Sequence, residues 1–291
     1  KNIKYILEAL IIYPIFLIIK ILGINLGRKI STFLFLKVGP LFRSNEKIKK
    51  NISNAYENLT EDEKNNIVND MWTNYGLTFA EYIFMEKFRK NKFSKAQISI
   101  KGMGILQNVI KSGEPAIFIS GHFANFELMA MELEKFGIKT AAIYRPLNNL
   151  FLNPIMEYLR MKYICSNQIP KGRAGMREVI KKIKNNYSIA LMVDQRVGEG
   201  IKVNFFNQLA QTTTIPAQLA TRFNCKLVPI SLKRIEKTNF EMTVQEPYEA
   251  SKIDNDEQNT QNITLKINQV IEKMIINNPT QWLWSHNRWK Q

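Results

Sequence analysis

Four short, nearly unbroken apolar runs constrain this chain more than any other feature: PAIFIS (115–120), TAAIYR (140–145), SIALMVDQ (188–195) and KLVPISLKRI (226–235). A strand with one wet face alternates apolar and polar residues. Runs that do not alternate must be covered on both faces, the situation of a parallel sheet sandwiched between helices. Amphipathic stretches near 125–136, 150–162, 173–186 and 216–224 lie between the runs and supply those helices. The expected fold is therefore α/β, with a largely parallel central sheet flanked by helices. NFEMTVQEPY (239–248) alternates in polarity and reads as an edge strand. A helix near 260–277 follows, with Ile263, Ile267, Val270, Ile271, Met274 and Ile275 on one face. At 291 residues and 45% hydrophobic, the chain can bury such a core. Disorder is expected only around 251–256.

Ahead of the sheet the pattern is helical. From Glu46 to about Lys87, Thr60-Glu61-Asp62-Glu63 has the form of a capping box, in which the first and last side chains satisfy each other's backbone donors. Val68, Trp72, Tyr75, Phe79 and Tyr82 then recur every three or four residues, a stripe for core or membrane-facing packing. The first thirty residues are different again. ALIIYPIFLII (9–19) carries no charge and is flanked by Lys1, Lys4 and Lys20, then by Arg28 and Lys29. A perpendicular membrane span needs about 20 apolar residues, which here means including Glu8 or Lys20 near an end. A short spanning helix, a helix lying in the bilayer interface and a buried core helix are all compatible with this pattern. No small-residue cleavage site follows, so a removed signal peptide is not expected. The resulting division is residues 1–30 as a membrane anchor or interfacial helix, 31–95 as a helical region and 96–291 as the α/β domain.

Lys and Arg number 41 against 25 Asp and Glu, a net charge of +16. That surplus favours anionic partners such as lipid headgroups, an acidic carrier protein or nucleic acid. No nucleic-acid-binding motif accompanies the charge, so no nucleic-acid partner is expected. Cys165 and Cys225 lack any paired spacing and read as reduced thiols.

The chain has only two histidines, and one ends a buried strand: AIFISGHFANFELM (116–129) places Gly121-His122 after the run and Glu127 five positions on. Reactive groups in open α/β sheets gather at the carboxyl ends of strands. On one continuous helix His122 and Glu127 would lie about 140° apart and could not meet. With His122 in the turn and Glu127 in the first helical turn they can. The carboxylate would then fix the imidazole tautomer and leave the other nitrogen basic. The alternative is a turn histidine beside a glutamate that complements the helix dipole. Neither His286 nor a lone cysteine has metal-ligand spacing, so no metal is expected. No G-x-S-x-G elbow is present.

These segments together are similar to a known family. GHFANFE resembles the H-x4-E signature of the bacterial lipid A late acyltransferases, the lauroyl and myristoyl transferases of lipopolysaccharide assembly. NISNAYENLTEDE and MWTNYGLTFAEYIF look like the family's helical region, and IYRPLNN (143–149) like its Arg-Pro stretch. IPKGRAGMREVI (169–180), ALMVDQ (190–195), VNFFNQLAQTTTIPAQLA (203–220) and QWLWSHNRWK (281–290) follow in the family's order. The likeness runs from about residue 5 to residue 290. Two positions depart: Leu150 stands where proline often follows, and Asn207 where glycine usually does.

The resemblance implies a glycerolipid-acyltransferase-like fold and a membrane-associated O-acyltransferase at the cytoplasmic face of the bacterial inner membrane. It would move a fatty acyl chain from acyl carrier protein to a hydroxyl of a Kdo-bearing lipid A precursor. No cofactor beyond the carrier thioester is implied, nor a covalent acyl-enzyme. Carried over, His122 is the general base and Glu127 its orienting partner. Arg145 or backbone N–H groups near 121–126 would stabilise the oxyanion. Arg145, Lys171, Arg173 and Arg177 suit phosphates and Kdo carboxylates. Asn125 holds the turn or contacts substrate, and Gln195 belongs with the substrate contacts. Asp194, in the same group, is expected to orient an arginine or cap a loop rather than to act as a second acid. His286, among Trp282, Trp284 and Trp289, reads as structural or as an interfacial aromatic group. Two other functions fit less of the sequence: a lysophospholipid or glycolipid acyltransferase of similar fold, and a non-catalytic basic membrane-surface or nucleic-acid-binding protein.

Overall fold

The computed structural model describes residues 2–93, 97–236, 238–250 and 256–290. The segment for which disorder is expected, 251–256, lies outside the described residues but for the backbone of Asp256. Among the described residues there are nine strands: β1 (Ile98–Lys101), β2 (Ala116–Ser120), β3 (Thr140–Tyr144), β4 (Asn167–Pro170), β5 (Ser188–Met192), β6 (Ile201–Phe205), β7 (Gln208–Thr212), β8 (Lys226–Glu236) and β9 (Asn239–Val244). Seven of them form one sheet in the order β1-β9-β8-β2-β5-β3-β4, and β6 and β7 pair as a separate hairpin. Every pairing in the large sheet is parallel except β8 with β9.

The helices run α1 (Asn2–Phe42), α2 (Asn45–Ala55), α3 (Glu61–Glu81), α4 (Met85–Arg89), α5 (Met103–Ser112), α6 (Glu127–Lys135), α7 (Asn153–Leu159), α8 (Arg173–Lys184), α9 (Ile215–Phe223) and α10 (Asp256–Asn277). The α/β expectation holds because the central strand β2 is buried at all five positions. Ile117 and Ile119 point into one apolar cluster, with the C-terminal tryptophans and α10. Ala116 and Phe118 point into another, beneath α6. The predicted edge strand is a correction. β9 keeps its alternating burial, but β1 pairs along its outer side and takes the edge. The alternation reports one half-covered face, and ISIK is too short and polar to announce a strand.

The capping box forms as read: Thr60 N–H donates to Glu63 at 2.8 Å, and Glu63 N–H to Thr60 Oγ1 at 3.3 Å. The C-terminal tryptophans are core. Trp282 and Trp284 are fully buried, and Asn51 Nδ2 donates to the Trp284 and His286 carbonyls. Asn207 accounts for its own departure from glycine. Phe206 and Asn207 are the two loop residues between β6 and β7, with φ of +50° and +57°. A two-residue hairpin of this kind needs left-handed backbone at both positions, which asparagine tolerates better than most side chains.

α1 is long and apolar enough to cross a membrane, but it is two segments. Gly23, at φ +80° and ψ 171°, breaks the helix. A Cβ on Gly27 would lie 2.7 Å from the Ile19 side chain, so the chain doubles back tightly there. The second segment is locked to the domain through charge. The Arg28 and Arg234 guanidinium groups both engage the fully buried Glu81, Arg28 Nε at 3.0 Å and Arg234 Nη2 at 3.1 Å. Burial opposes ionisation of Glu81, but the two arginines outweigh it and hold the carboxyl below its usual range.

Candidate active site

The register of β2 with β5 builds the centre of the site. Ser120 pairs with Met192, and Val193 N–H donates to the Ser120 carbonyl at 2.9 Å. Continuing both strands by two residues brings His122 beside Asp194. Gly121 permits the approach, because a Cβ there would sit 2.7 Å from the Phe123 ring and 3.2 Å from Asp194 Oδ2. The His122 backbone N–H donates to Asp194 Oδ2 at 2.8 Å, and Nδ1 lies 2.7 Å from Oδ1. Trp282 Nε1 donates to Oδ2 at 2.8 Å. Burial alone would raise the Asp194 pKa, but the imidazole and these hydrogen bonds bring it down to about 2. An ionised Asp194 requires the hydrogen on Nδ1 and leaves the Nε2 lone pair without a partner among the described residues. The ring edge rests on Phe126, centroid to centroid 4.6 Å.

The predicted His122–Glu127 pair is therefore corrected: the acid gripping the imidazole is Asp194. Glu127 opens α6 and is engaged by other groups. Tyr82 donates its hydroxyl to Oε1, and Arg160 donates Nε at 2.9 Å and Nη2 at 2.6 Å. Tyr82 comes from the turn after α3, and Arg160 starts a π-helical turn, Arg160–Ile164, that continues α7. Burial, then the Glu127 charge, push the Tyr82 pKa well up, so the phenol stays protonated. Burial works against the charge on Arg160, yet Glu127 and Tyr82 outweigh it and raise its pKa. Arg160 Nη1 is buried and has no hydrogen-bond partner among the described residues.

His122 and Glu127 nonetheless share one cavity of about 480 Å³, whose walls include Arg145, Arg160, Lys171, Gln195, Arg196 and His286. Of the residues singled out from sequence, His122, Glu127, Arg145, Lys171 and Gln195 reach it. Asp194 lies behind the imidazole, fully buried. Asn125 does not line the cavity: it is buried beneath the turn and donates Nδ2 to Glu81 at 2.8 Å. Arg173 and Arg177 are exposed on α8, away from the cavity wall, because the helix buries the face of Gly175, Val179 and Ile183 and leaves them on the other. Among the described residues no three His, Cys, Asp or Glu side chains come together as a metal site.

Tyr82, Arg160 and the wall role of His286 are not visible in the sequence reading. Tyr82 belongs to an apolar stripe and only its hydroxyl betrays it. Arg160 carries no motif. His286 Nε2 accepts the Arg196 backbone N–H at 2.9 Å, which ties the Asp194–Arg196 loop to the C-terminal segment. Burial lowers its pKa to about 4, so it is a neutral acceptor.

This arrangement, an imidazole nitrogen and several cations around a cavity at the strand ends, suits proton removal from a hydroxyl on an anionic substrate. The model of the bacterial lipid A biosynthesis acyltransferase family matches residues 2–291. The chain belongs to this family. It is similar to the lipid A biosynthesis acyltransferase of Haemophilus influenzae, 25% identical over 269 residues, covering 89% of this chain and 80% of that one. The lipid A biosynthesis palmitoleoyltransferase of Escherichia coli is 21% identical over 92% of this chain and 88% of its own. The lauroyltransferase of the same organism is 24% identical over 84% and 78%. The family membership makes the cavity of this lipid A biosynthesis acyltransferase its candidate active site, and the long apolar α1 suits attachment to a membrane.

Proposed function

We propose that this acyltransferase moves a fatty acyl chain from acyl carrier protein to a hydroxyl of a Kdo-bearing lipid A precursor, at the cytoplasmic face of the bacterial inner membrane. Residues 96–291 carry the chemistry, 31–95 brace it, and 1–30 bring it to the lipid. The observation that carries this reading is the His122 imidazole, held by Asp194 from behind with Nε2 left basic in a cavity walled by cations.

His122 Nε2 takes the proton of the acceptor hydroxyl as its oxygen attacks the thioester carbonyl. The tetrahedral oxyanion collapses, the C–S bond breaks, and the same proton passes to the departing thiolate. The donor is already activated, so a base and correct positioning suffice. Arg160 stands in the cavity wall, and Glu127 and Tyr82 hold its guanidinium rigid. We assign the oxyanion to it, and assign Glu127 the task of fixing that guanidinium. Arg145, Lys171 and Arg196 then suit the phosphates and carboxylates of the acceptor. The net charge of +16 suits an acidic carrier.

The test is incubation of membranes containing the protein with acyl-carrier thioester and either a Kdo-lipid A precursor or a lysophospholipid. Acylated lipid A precursor is expected, reduced by about 10²-fold or more in His122→Ala. Product from lysophospholipid alone contradicts the reading.

A further inference from the structure

α1 has the length of a membrane span, yet its first segment, 2–22, is fastened to the domain along one side. Tyr5, Glu8, Ala9, Phe16 and Ile19 recur at helical spacing and make that side; Ala9, Phe16 and Ile19 are buried, Ile19 completely. Asn149, 6% exposed, donates Nδ2 to the Tyr5 carbonyl at 2.9 Å and to Glu8 Oε2 at 2.8 Å. Tyr13 donates its hydroxyl to the Phe151 carbonyl at 2.6 Å, and Phe16 stacks on Phe79 at 4.8 Å. Asn149 also accepts from the Phe151 and Leu152 backbone N–H groups, so it pins helix and loop together.

That fastening is incompatible with a span. Tyr5 stands about 27 Å along the helix from Gly23 at 1.5 Å per residue, close to the roughly 30 Å of a bilayer's hydrocarbon. If the segment crossed, Asn149 and its loop would be carried to the far side, and with them Arg145, a wall of the cavity only four positions earlier. The opposite side of the segment is bare and apolar: Ile3 is 76% exposed and Leu10 65%. The adjoining loop continues the same surface with Leu150, 66% exposed, and Phe151. Lys4, Lys20 and Lys29 stand exposed along the helix, where they complement anionic headgroups.

We propose that α1 does not cross the membrane: its first segment and the Leu150–Phe151 loop lie together in one anionic leaflet as a single half-submerged surface. Polar backbone is satisfied within the helix, and the loop penetrates no deeper than the headgroup boundary. The exposed cavity wall at Arg145 then lies beside the leaflet surface, so a lipid acceptor enters sideways without leaving the bilayer. The last consequence rests on the acyltransferase reading; the seating of the helix does not.

The experiment uses the full chain in vesicles of phosphatidylethanolamine and phosphatidylglycerol, with a membrane-impermeant maleimide. The native Cys165 and Cys225 are buried and serve as the blank. Lys4→Cys reports the start of α1, and Lys202→Cys, on the exposed face of β6, reports the side on which the domain sits. Labelling of Lys4→Cys from the same side as Lys202→Cys, unchanged by vesicle lysis, is expected. Labelling of Lys4→Cys only after lysis, while Lys202→Cys reacts without it, overturns the proposal. As a second measurement, Leu150→Glu with Phe151→Glu should weaken vesicle flotation by about tenfold or more; undiminished flotation also overturns it. Acyl transfer assayed on the same vesicles shows separately whether the enzymatic reading stands.

Discussion

The residues of the site divide into two acid-held groups that behave differently on substitution. Asp194 holds an imidazole, and Glu127 holds a guanidinium. Glu127→Gln keeps the shape but removes the charge that opposes the burial of Arg160. We expect a fall in turnover of roughly 10–10³-fold, with little change in the apparent affinity for acceptor, measured in steady-state assays on both substrates. The acid on His122 is not legible from spacing. H-x4-E puts Glu127 near His122 in sequence, whereas Asp194 arrives from the neighbouring strand, and only the β2–β5 register reveals it. Protonation of His286 adds a pH effect. His286 is neutral and its folded pKa is lowered to about 4 from an ordinary 6.5. The unfolded chain therefore binds more protons between those values, and stability, complete above about pH 6.5, declines as the pH falls toward 4. The loss is on the order of 3 kcal/mol. Thermal melts of wild type and His286→Gln across that range should converge as the pH drops, since the variant lacks the titrating group.

At the scale of elements, those with strong local signals are legible and those defined by partners are not. The four apolar runs become β2, β3, β5 and β8. The amphipathic stretches become α6, α7, α8 and α9 within a few residues, and the Thr60–Glu63 box starts α3. β1 and β4 are four residues each, too short for a pattern, and form because neighbouring strands offer free ladders. The β6–β7 hairpin hides for a different reason. Its turn, Phe206-Asn207, lacks the glycine that announces such loops, although the backbone there is left-handed. Asn207→Gly should accordingly be close to neutral in chemical denaturation. Asn207→Val should cost about 1–2 kcal/mol, because a branched side chain resists positive φ. An equal effect of both substitutions contradicts the assigned turn.

The whole molecule gathers its functions at one end. The carboxyl ends of β2, β3 and β5 supply His122, Arg145 and Asp194, the C-terminal segment supplies Trp282 and His286, and α1 with the Asn149 pin sets the apolar surface beside them. The apolar runs make the sheet readable and the motifs in family order carry the resemblance, whereas the folding back of α1 at Gly23 is visible only in three dimensions. Everything chemical in this account depends on the imidazole being locked in one tautomer by a buried carboxylate. The most direct test is the rate of acyl transfer to a Kdo-lipid A precursor by Asp194→Asn, read beside its circular dichroism and melting curve. The isosteric amide can no longer accept from Nδ1–H as a charged partner, so a fall of about 10²–10⁴-fold with the fold retained is the expected result. Turnover within a few-fold of wild type contradicts the assignment of His122 as the base.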